Sequence, residues 1–347
     1  MHLILDAMAV VVLALLIDRY VGEVPNNVHP LRWMGNILSA IDRRIRVRDS
    51  AATSVWGFLS YVLVFLLFSF AGLAVTTACR VLVSDYVSPV AGEVAWIVAT
   101  AFVFKVSFAV FSFRAHCDPI RADLDRGDTG AAADKVQMIV SRNTRGMDAE
   151  HIASSCCETV SENLVDSVFS PVFYFGLLGI PGAVMFRCAN LMDAMWGYLN
   201  DKYSRLGFFP AKFDDLLGFL TARVSPYFVA LAGMLMGMDW RAAVPAAREE
   251  HGKTPSPNSG YSMTAVAAVL GISMEKEGVY VMGKGPMPTT DDIRRCCRLV
   301  ELSSVLFAVT VGLIMYALLG IHVQLFAEGV LESVVGCIAS IIGAGAA

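Results

Sequence analysis

Cys157-Glu158-Thr159-Val160-Ser161-Glu162-Asn163-Leu164-Val165-Asp166-Ser167-Val168-Phe169-Ser170-Pro171 carries three acids at four-residue spacing and then runs into an uncharged segment, Ser167 to Phe186. On a helix, Glu158, Glu162 and Asp166 fall within about 80° of one another, with His151 and Ser155 in the same arc. Like charges so placed repel one another even in water. Beside an apolar segment the cost of keeping them charged rises steeply. No Lys or Arg occurs between Arg145 and Arg187 to neutralise them. Such a stripe persists if it is a solvated helix face, or if it faces a cation, for which hard oxygen ligands suit Mg²⁺.

The apolar segment is part of a wider pattern. The chain of 347 residues is 56% hydrophobic and only 17% charged, with mean hydropathy +0.59. Soluble domains carry about 25% charged residues, so the composition predicts an all-α integral membrane protein, a multi-spanning helical bundle in one polytopic domain. Spans are expected near 3–17, 55–79, 94–113 and 302–327. The first lacks a basic leader and a small-residue cleavage site, and reads as a retained helix. Apolar segments 167–186 and 216–238 are interrupted, the first by Pro171, Gly176, Gly179, Pro181 and Gly182, the second by Pro226. Either a pair of spans or broken, re-entrant half-helices fits; the second keeps the carboxylates of both regions on one side. The hydrophilic loops are 18–54, 114–166, 187–215 and 239–301, partly helical. Lys and Arg content, including the run Asp42-Arg43-Arg44-Ile45-Arg46-Val47-Arg48, places 18–54, 114–166 and 239–301 in the cytoplasm at the cell membrane, and the re-entrant alternative puts 187–215 there too. The basic run has no interleaved aromatics, and nothing argues for nucleic acid. Eight cysteines show no ligand spacing and read as reduced and buried.

Within the loops, Asp18 to Gly35 is rich in Gly, Pro and Asn and is expected to be loop, yet it holds His29, Arg32 and Trp33. Ser141-Arg142-Asn143-Thr144-Arg145-Gly146 sets two guanidinium groups ahead of a helix that Asp148 can cap. That is an anion cradle, or two arginines reaching headgroups. Asn190, Asp193, Gly197 and Asp201 share a helical face, followed by Asp214-Asp215; this is a second acidic cluster or a solvated surface. Gly252-Lys253-Thr254 is no phosphate-binding P-loop, because Ala247 stands where the motif needs its first Gly. Lys253 remains a phosphate contact from a Pro-rich loop. Of the histidines, only His151 shares the acidic stripe.

Taken in order, these stretches resemble the membrane-bound adenosylcobinamide-phosphate synthases of cobalamin biosynthesis. The resemblance rests on Asp18…Gly22-Glu23…His29-Pro30-Leu31-Arg32-Trp33-Met34-Gly35, Ser141-Arg142-Asn143-Thr144, and Glu158…Ser161-Glu162-Asn163…Asp166…Pro171. It continues through Asn190-Leu191-Met192-Asp193, Asp214-Asp215-Leu216…Ala222-Arg223, Ser256-Pro257-Asn258-Ser259-Gly260 and Tyr280…Gly283. Thr221, Gly218, Ser259 and Ser262-Met263 depart from the family's usual residues. The resemblance implies an ATP-dependent amide bond between adenosylcobyric acid and (R)-1-aminopropan-2-ol O-phosphate. The residues then suggest roles: Glu158, Glu162 and Asp166, with Asp193 or Asp214-Asp215, for Mg²⁺; Arg142, Arg145, Lys253 and Arg32 for phosphates. Asn163, Asn190 and Asn258 suit the corrin amides, and His151 or a spare carboxylate the base, with His29 and Ser256 among the substrate contacts. A homo-oligomer and contact with other cobalamin-assembly enzymes are compatible with this class. The rival expectation is a transporter of an anionic metabolite, using the broken helices as its path.

Overall fold

Asp148, extended at φ −76° and ψ 174°, accepts the His151 backbone N–H at 2.9 Å and starts the acidic helix, as its position ahead of the stripe predicts. That helix, α7 (Ala149–Leu164), is the hub of a computed structural model that describes residues 2–45, 51–198, 200–201 and 203–345. The described chain is almost wholly helical; one small hairpin, β1 (Met274–Lys276) paired antiparallel with β2 (Tyr280–Met282), is the exception to the all-α expectation. Among the described residues three helices are long and apolar enough to cross a membrane: Ala51–Tyr86, Phe208–Leu235 and Thr290–Cys337.

Before the hub come α1 (His2–Tyr20), α2 (Pro30–Arg44), α3 (Ala51–Tyr86), α4 (Pro89–Lys105), α5 (Ser112–Asp125) and α6 (Thr129–Val136). The loop expected over Asp18 to Gly35 is therefore shorter, because Pro30 opens a helix. Pro fits the first turn, where no N–H is needed, and His29 Nδ1 accepts the Leu31 N–H at 3.2 Å. Met34 and Leu38, one turn apart, bury against the bundle. Of the basic run that follows, Arg46 to Arg48 lie outside the described residues.

The span expected over 94–113 ends at Lys105. Asp18 Oδ2 accepts the backbone N–H groups of Val110 and Phe111 at 2.9 and 3.0 Å, and Lys105 pairs with Asp18 and Glu23, each at 2.9 Å. A wholly buried ammonium is tolerated only with such partners. The chain therefore turns here and begins α5.

After α7 the helix widens into a π turn, Val165–Phe169, that holds Asp166, and continues as α8 (Ser170–Leu178). It reverses at Gly179, whose φ of +66° suits only glycine, into α9 (Ile180–Trp196), which packs back on α8. The interruption read in 167–186 is thus a real break. The one read at Pro226 is not: α10 (Phe208–Leu235) runs through it. Pro226 deprives the Ala222 carbonyl of its N–H, and the Ser225 hydroxyl replaces it by donating to that carbonyl at 2.8 Å.

The rest is α11 (Ala243–Glu250), a 3₁₀ turn at His251–Lys253, α12 (Ser259–Leu270), the hairpin, and α13 (Thr290–Phe307). The last helix continues through two π turns and α14 (Leu313–Met315) into α15 (Ile321–Gly345). The helix that contains the expected span 302–327 begins earlier, at Thr290. α13 and α12 pack against α7 and α10, so the acidic helix is enclosed. Six of the eight cysteines are buried, Cys79 is half-buried and Cys337 is exposed.

Candidate active site

Arg142 turns inward from the loop before α7 and forms an ion pair with Glu158. The hairpin closes over the same spot. Ser154 Oγ accepts the Glu275 N–H at 2.8 Å, and Arg142 reaches the Glu275 carbonyl at 3.5 Å. This seats Lys276 and Tyr280 beside the stripe: Lys276 acts on both Glu158 and Glu162, and the Tyr280 phenol faces Glu158. Glu158 Oε2 is shielded from solvent and has no hydrogen-bond partner among the described residues. Burial pushes this carboxyl up to about 7, against the Arg142 guanidinium that pulls it down, while Glu162 adds repulsion. Glu162 is raised by burial too, with Lys276 and Arg142 opposing.

One turn further on, Asp166 is also pushed up to about 7, by burial and by Glu162. Its cation is Arg187 of α9, which donates to the Asp166 carbonyl and to Asn190 Oδ1, both at 3.1 Å. Asp193 lies within electrostatic reach of Asp166, Asp214 and Asp215, and burial raises its carboxyl. Asp214 Oδ1, like Glu158 Oε2, is buried and unpartnered among the described residues. The two acidic clusters therefore face one another as one continuous row.

A third group adjoins it. Asn258 Nδ2 donates to the Asp215 carbonyl at 2.8 Å, and Asn258 Oδ1 accepts from Arg223 at 3.1 Å. Arg223 lies 3.3 Å above the Phe219 ring centroid. Gly218 makes this possible, since a Cβ there would sit 2.8 Å from Asn258 Nδ2. Ser256 Oγ accepts the Asn258 N–H at 3.2 Å and shapes the loop.

Other expected residues lie differently. Arg145 is exposed, so the two arginines of the turn separate, one toward the stripe and one toward solvent. Lys253 pairs with Glu250 at 2.9 Å, and Glu250 accepts the Gly283 N–H, which places Lys253 behind the hairpin. Asn163 spends its amide on its own helix, donating to the Thr159 carbonyl and accepting from Ser167. His151 sits at the entrance, 2.7 Å from Asp148 and 3.9 Å from Glu275; the Asp148 hydrogen bond raises its pKa. His29 faces Glu23 at 3.8 Å, and Arg32 is exposed on α2.

Among the described residues no three acids or other ligating side chains converge on one point. Glu158, Glu162 and Asp166 climb the helix and do not enclose an ion. Hard, partly unpartnered carboxylates still fit Mg²⁺ in its usual mode, one or two carboxylates completed by water and substrate phosphates. The counter-cations are what local sequence reading missed. Arg187 and Lys276 arrive from other elements, and Lys276 carries no local signal; Tyr280 stands in a family-ordered stretch.

With this geometry in place, comparison with known proteins is specific. The family described as CobD/Cbib protein matches residues 11–300. The "Probable cobalamin biosynthesis protein CobD" of Methanothermobacter thermautotrophicus is 33% identical over 279 residues, 80% of this chain and 88% of the relative. The "Cobalamin biosynthesis protein CobD" of Chromobacterium violaceum is 34% identical over 315 residues, 85% of this chain and 93% of its own. The Thermococcus kodakarensis relative, "Probable cobalamin biosynthesis protein CobD", is 34% identical over 299 residues, covering 86% and 92%. No solved structure matches. On the match across most of its length, this chain belongs to the CobD/Cbib family.

Proposed function

We propose that this protein is a multi-pass enzyme of the cell membrane that acts in cobalamin biosynthesis. It joins a side-chain carboxylate of adenosylcobyric acid to the amine of (R)-1-aminopropan-2-ol O-phosphate at the expense of ATP, forming adenosylcobinamide phosphate. The observation that carries this reading is the single row of buried and half-buried acids answered by Arg142, Arg187 and Lys276, in a chain of the family whose relatives bear the cobalamin names. Mg²⁺ with the nucleotide would supply the charge neutralisation that turns the corrinoid carboxylate into an acyl phosphate.

Arg142 and Lys276 stand where phosphate oxygens would lie against the stripe, and a guanidinium can grip two of them. The amine enters as an ammonium and must lose a proton before it attacks. Glu158, with one oxygen unpartnered and its carboxyl raised to about 7, is the best-placed acceptor. His151, held by Asp148 and Glu275 at the entrance, is the runner-up. As the C–N bond forms, the carbonyl–phosphate bond breaks and inorganic phosphate leaves with that electron pair. Asn258 and Asn190 present amides to the corrin periphery. Asp166, Asp193 and Asp214 are the carboxylates left to hold Mg²⁺ beside Arg187.

The test is the full chain in lipid nanodiscs with Mg²⁺–ATP, adenosylcobyric acid and the amine phosphate. Amide product should appear only with all three, and Glu162→Gln and Glu158→Gln should abolish it while the protein stays folded. Sustained ATP turnover without amide, or passage of an anionic metabolite across liposomes without it, would overturn the ligase reading.

A further inference from the structure

A cavity of about 370 Å³ separates α3, α4 and α9 and meets the acidic row only at Arg187. Phe68 and Gly72 of α3, Phe102 and Val103 of α4, and Ala183 of α9 line it, with Trp33 of α2 at one end. The lining is apolar almost throughout. The polar exceptions are Ser107 and Arg187, and the Arg187 Nε is buried with no hydrogen-bond partner among the described residues. An unsatisfied guanidinium N–H is costly to bury, so an acceptor is expected there.

The position of the cavity points to its occupant. Gly72 lies near the middle of α3, a helix long and apolar enough to cross a membrane, and α2 contributes Pro30, Leu31, Trp33 and Met34 to the lining. Phe102, Val75 and Trp33 line it and are also exposed on the outer surface, so it opens sideways to surrounding lipid. A second hollow adjoins it through Val24 and Leu31 and is rimmed by Glu23, His29, Arg32 and Asn36, with Glu23 already paired to Lys105 at 2.9 Å. Arg32 is exposed there with no ion pair among the described residues. An aliphatic slot leading from mid-membrane depth to an unpaired guanidinium, beside a Glu23 that Lys105 already neutralises, is complementary to an anionic amphiphile.

We propose that this cavity holds an acyl chain of an anionic phospholipid, entered laterally from the bilayer, with its phosphate-bearing head at the rim beside Arg32. The bound chain would wedge α2 against α3 and α9, beside the residues that carry the acidic row. The proposal rests on α3 lying in the bilayer and is independent of the reaction.

The full chain is placed in phosphatidylcholine nanodiscs containing phosphatidylglycerol with dibrominated acyl chains, which quench tryptophan on contact. The Trp33 signal is the difference between the protein and its Trp33→Phe variant, the other four tryptophans being common to both. Trp33 should be quenched more strongly by brominated phosphatidylglycerol than by brominated phosphatidylcholine. Ala183→Leu, which fills the cavity, should remove that excess and leave quenching of the other tryptophans unchanged. Val103→Phe serves if the first variant does not accumulate. Arg32→Gln should abolish the preference for the anionic lipid while leaving contact quenching in place. Excess quenching that survives filling, or equal quenching by both lipids in the unaltered protein, would overturn the proposal.

Discussion

Burial and charge pull Glu158 in opposite directions, and burial wins: despite Arg142 its carboxyl titrates near 7. In the unfolded chain it would ionise near its ordinary value of 4.5. A group whose pKa is raised on folding contributes stability at low pH and loses it as pH climbs through the raised value. The unfolding temperature should therefore fall between about pH 4.5 and 7, and Glu158→Gln should flatten that slope even if the lost ion pair shifts the whole curve. Scanning fluorimetry over that range is the measurement, and an unchanged slope in the variant would refute the assignment. Arg142 offers a second check. Losing a charge-assisted contact to phosphate weakens binding by roughly 10- to 150-fold. Arg142→Ala should raise KM for the phosphorylated amine or ATP on that scale, and Arg142→Lys should recover only part of it. Arg145→Ala, at an exposed position, should change KM little. Equal effects would show that the two arginines act as one cradle after all.

At the scale of elements, α4 ends for a reason outside its own sequence, and α10 continues through Pro226 for a reason within it. α4 stops at Lys105 because Asp18, from α1, captures the N–H groups of Val110 and Phe111 and the ammonium together. Lys105→Met would leave the buried Asp18 carboxylate without its charge partner. Breaking a buried pair in this way costs about 3–5 kcal/mol, which should appear as a large drop in unfolding temperature. In α10, continuity through Pro226 depends on one hydroxyl. Ser225→Ala should cost about 1 kcal/mol, by orphaning the Ala222 carbonyl, and Ser225→Thr should restore most of it. An unaffected Ser225→Ala protein would mean that another group satisfies that carbonyl.

For the whole molecule the open commitment is topology. The charge distribution predicts that Asn143 and Lys253 face the cytoplasm and that Val87, in the turn between α3 and α4, faces outward. The reversal at Gly179 folds α9 back along α8, which lets Asp193 and Asp214 share one rim with Glu162. Single cysteines at 87, 143, 200 and 253, in a background lacking the exposed Cys337, can be challenged in intact cells with a membrane-impermeant thiol reagent. Only the one at Val87 should react. Labelling at Asn200 would place the turn after α9 outside and would contradict a cytoplasmic active site.

Composition and periodicity by themselves determined the helical class, the apolar segments, the Asp148 cap and the acidic stripe, because each depends on residues within a turn or two of one another. The order of motifs determined the family. Local sequence misjudged the start of α2, the end of α4 and the integrity of α10, since a cap, an ion pair and a serine hydroxyl outweighed the residue-level signals there. Only the tertiary structure decided what faces the stripe. Arg187 and Lys276 lie far along the chain from Glu158, and a cation's field acts through space, with no regard to sequence distance. The same holds for the cavity behind Trp33, which exists only because α2, α3, α4 and α9 meet without filling the space between them.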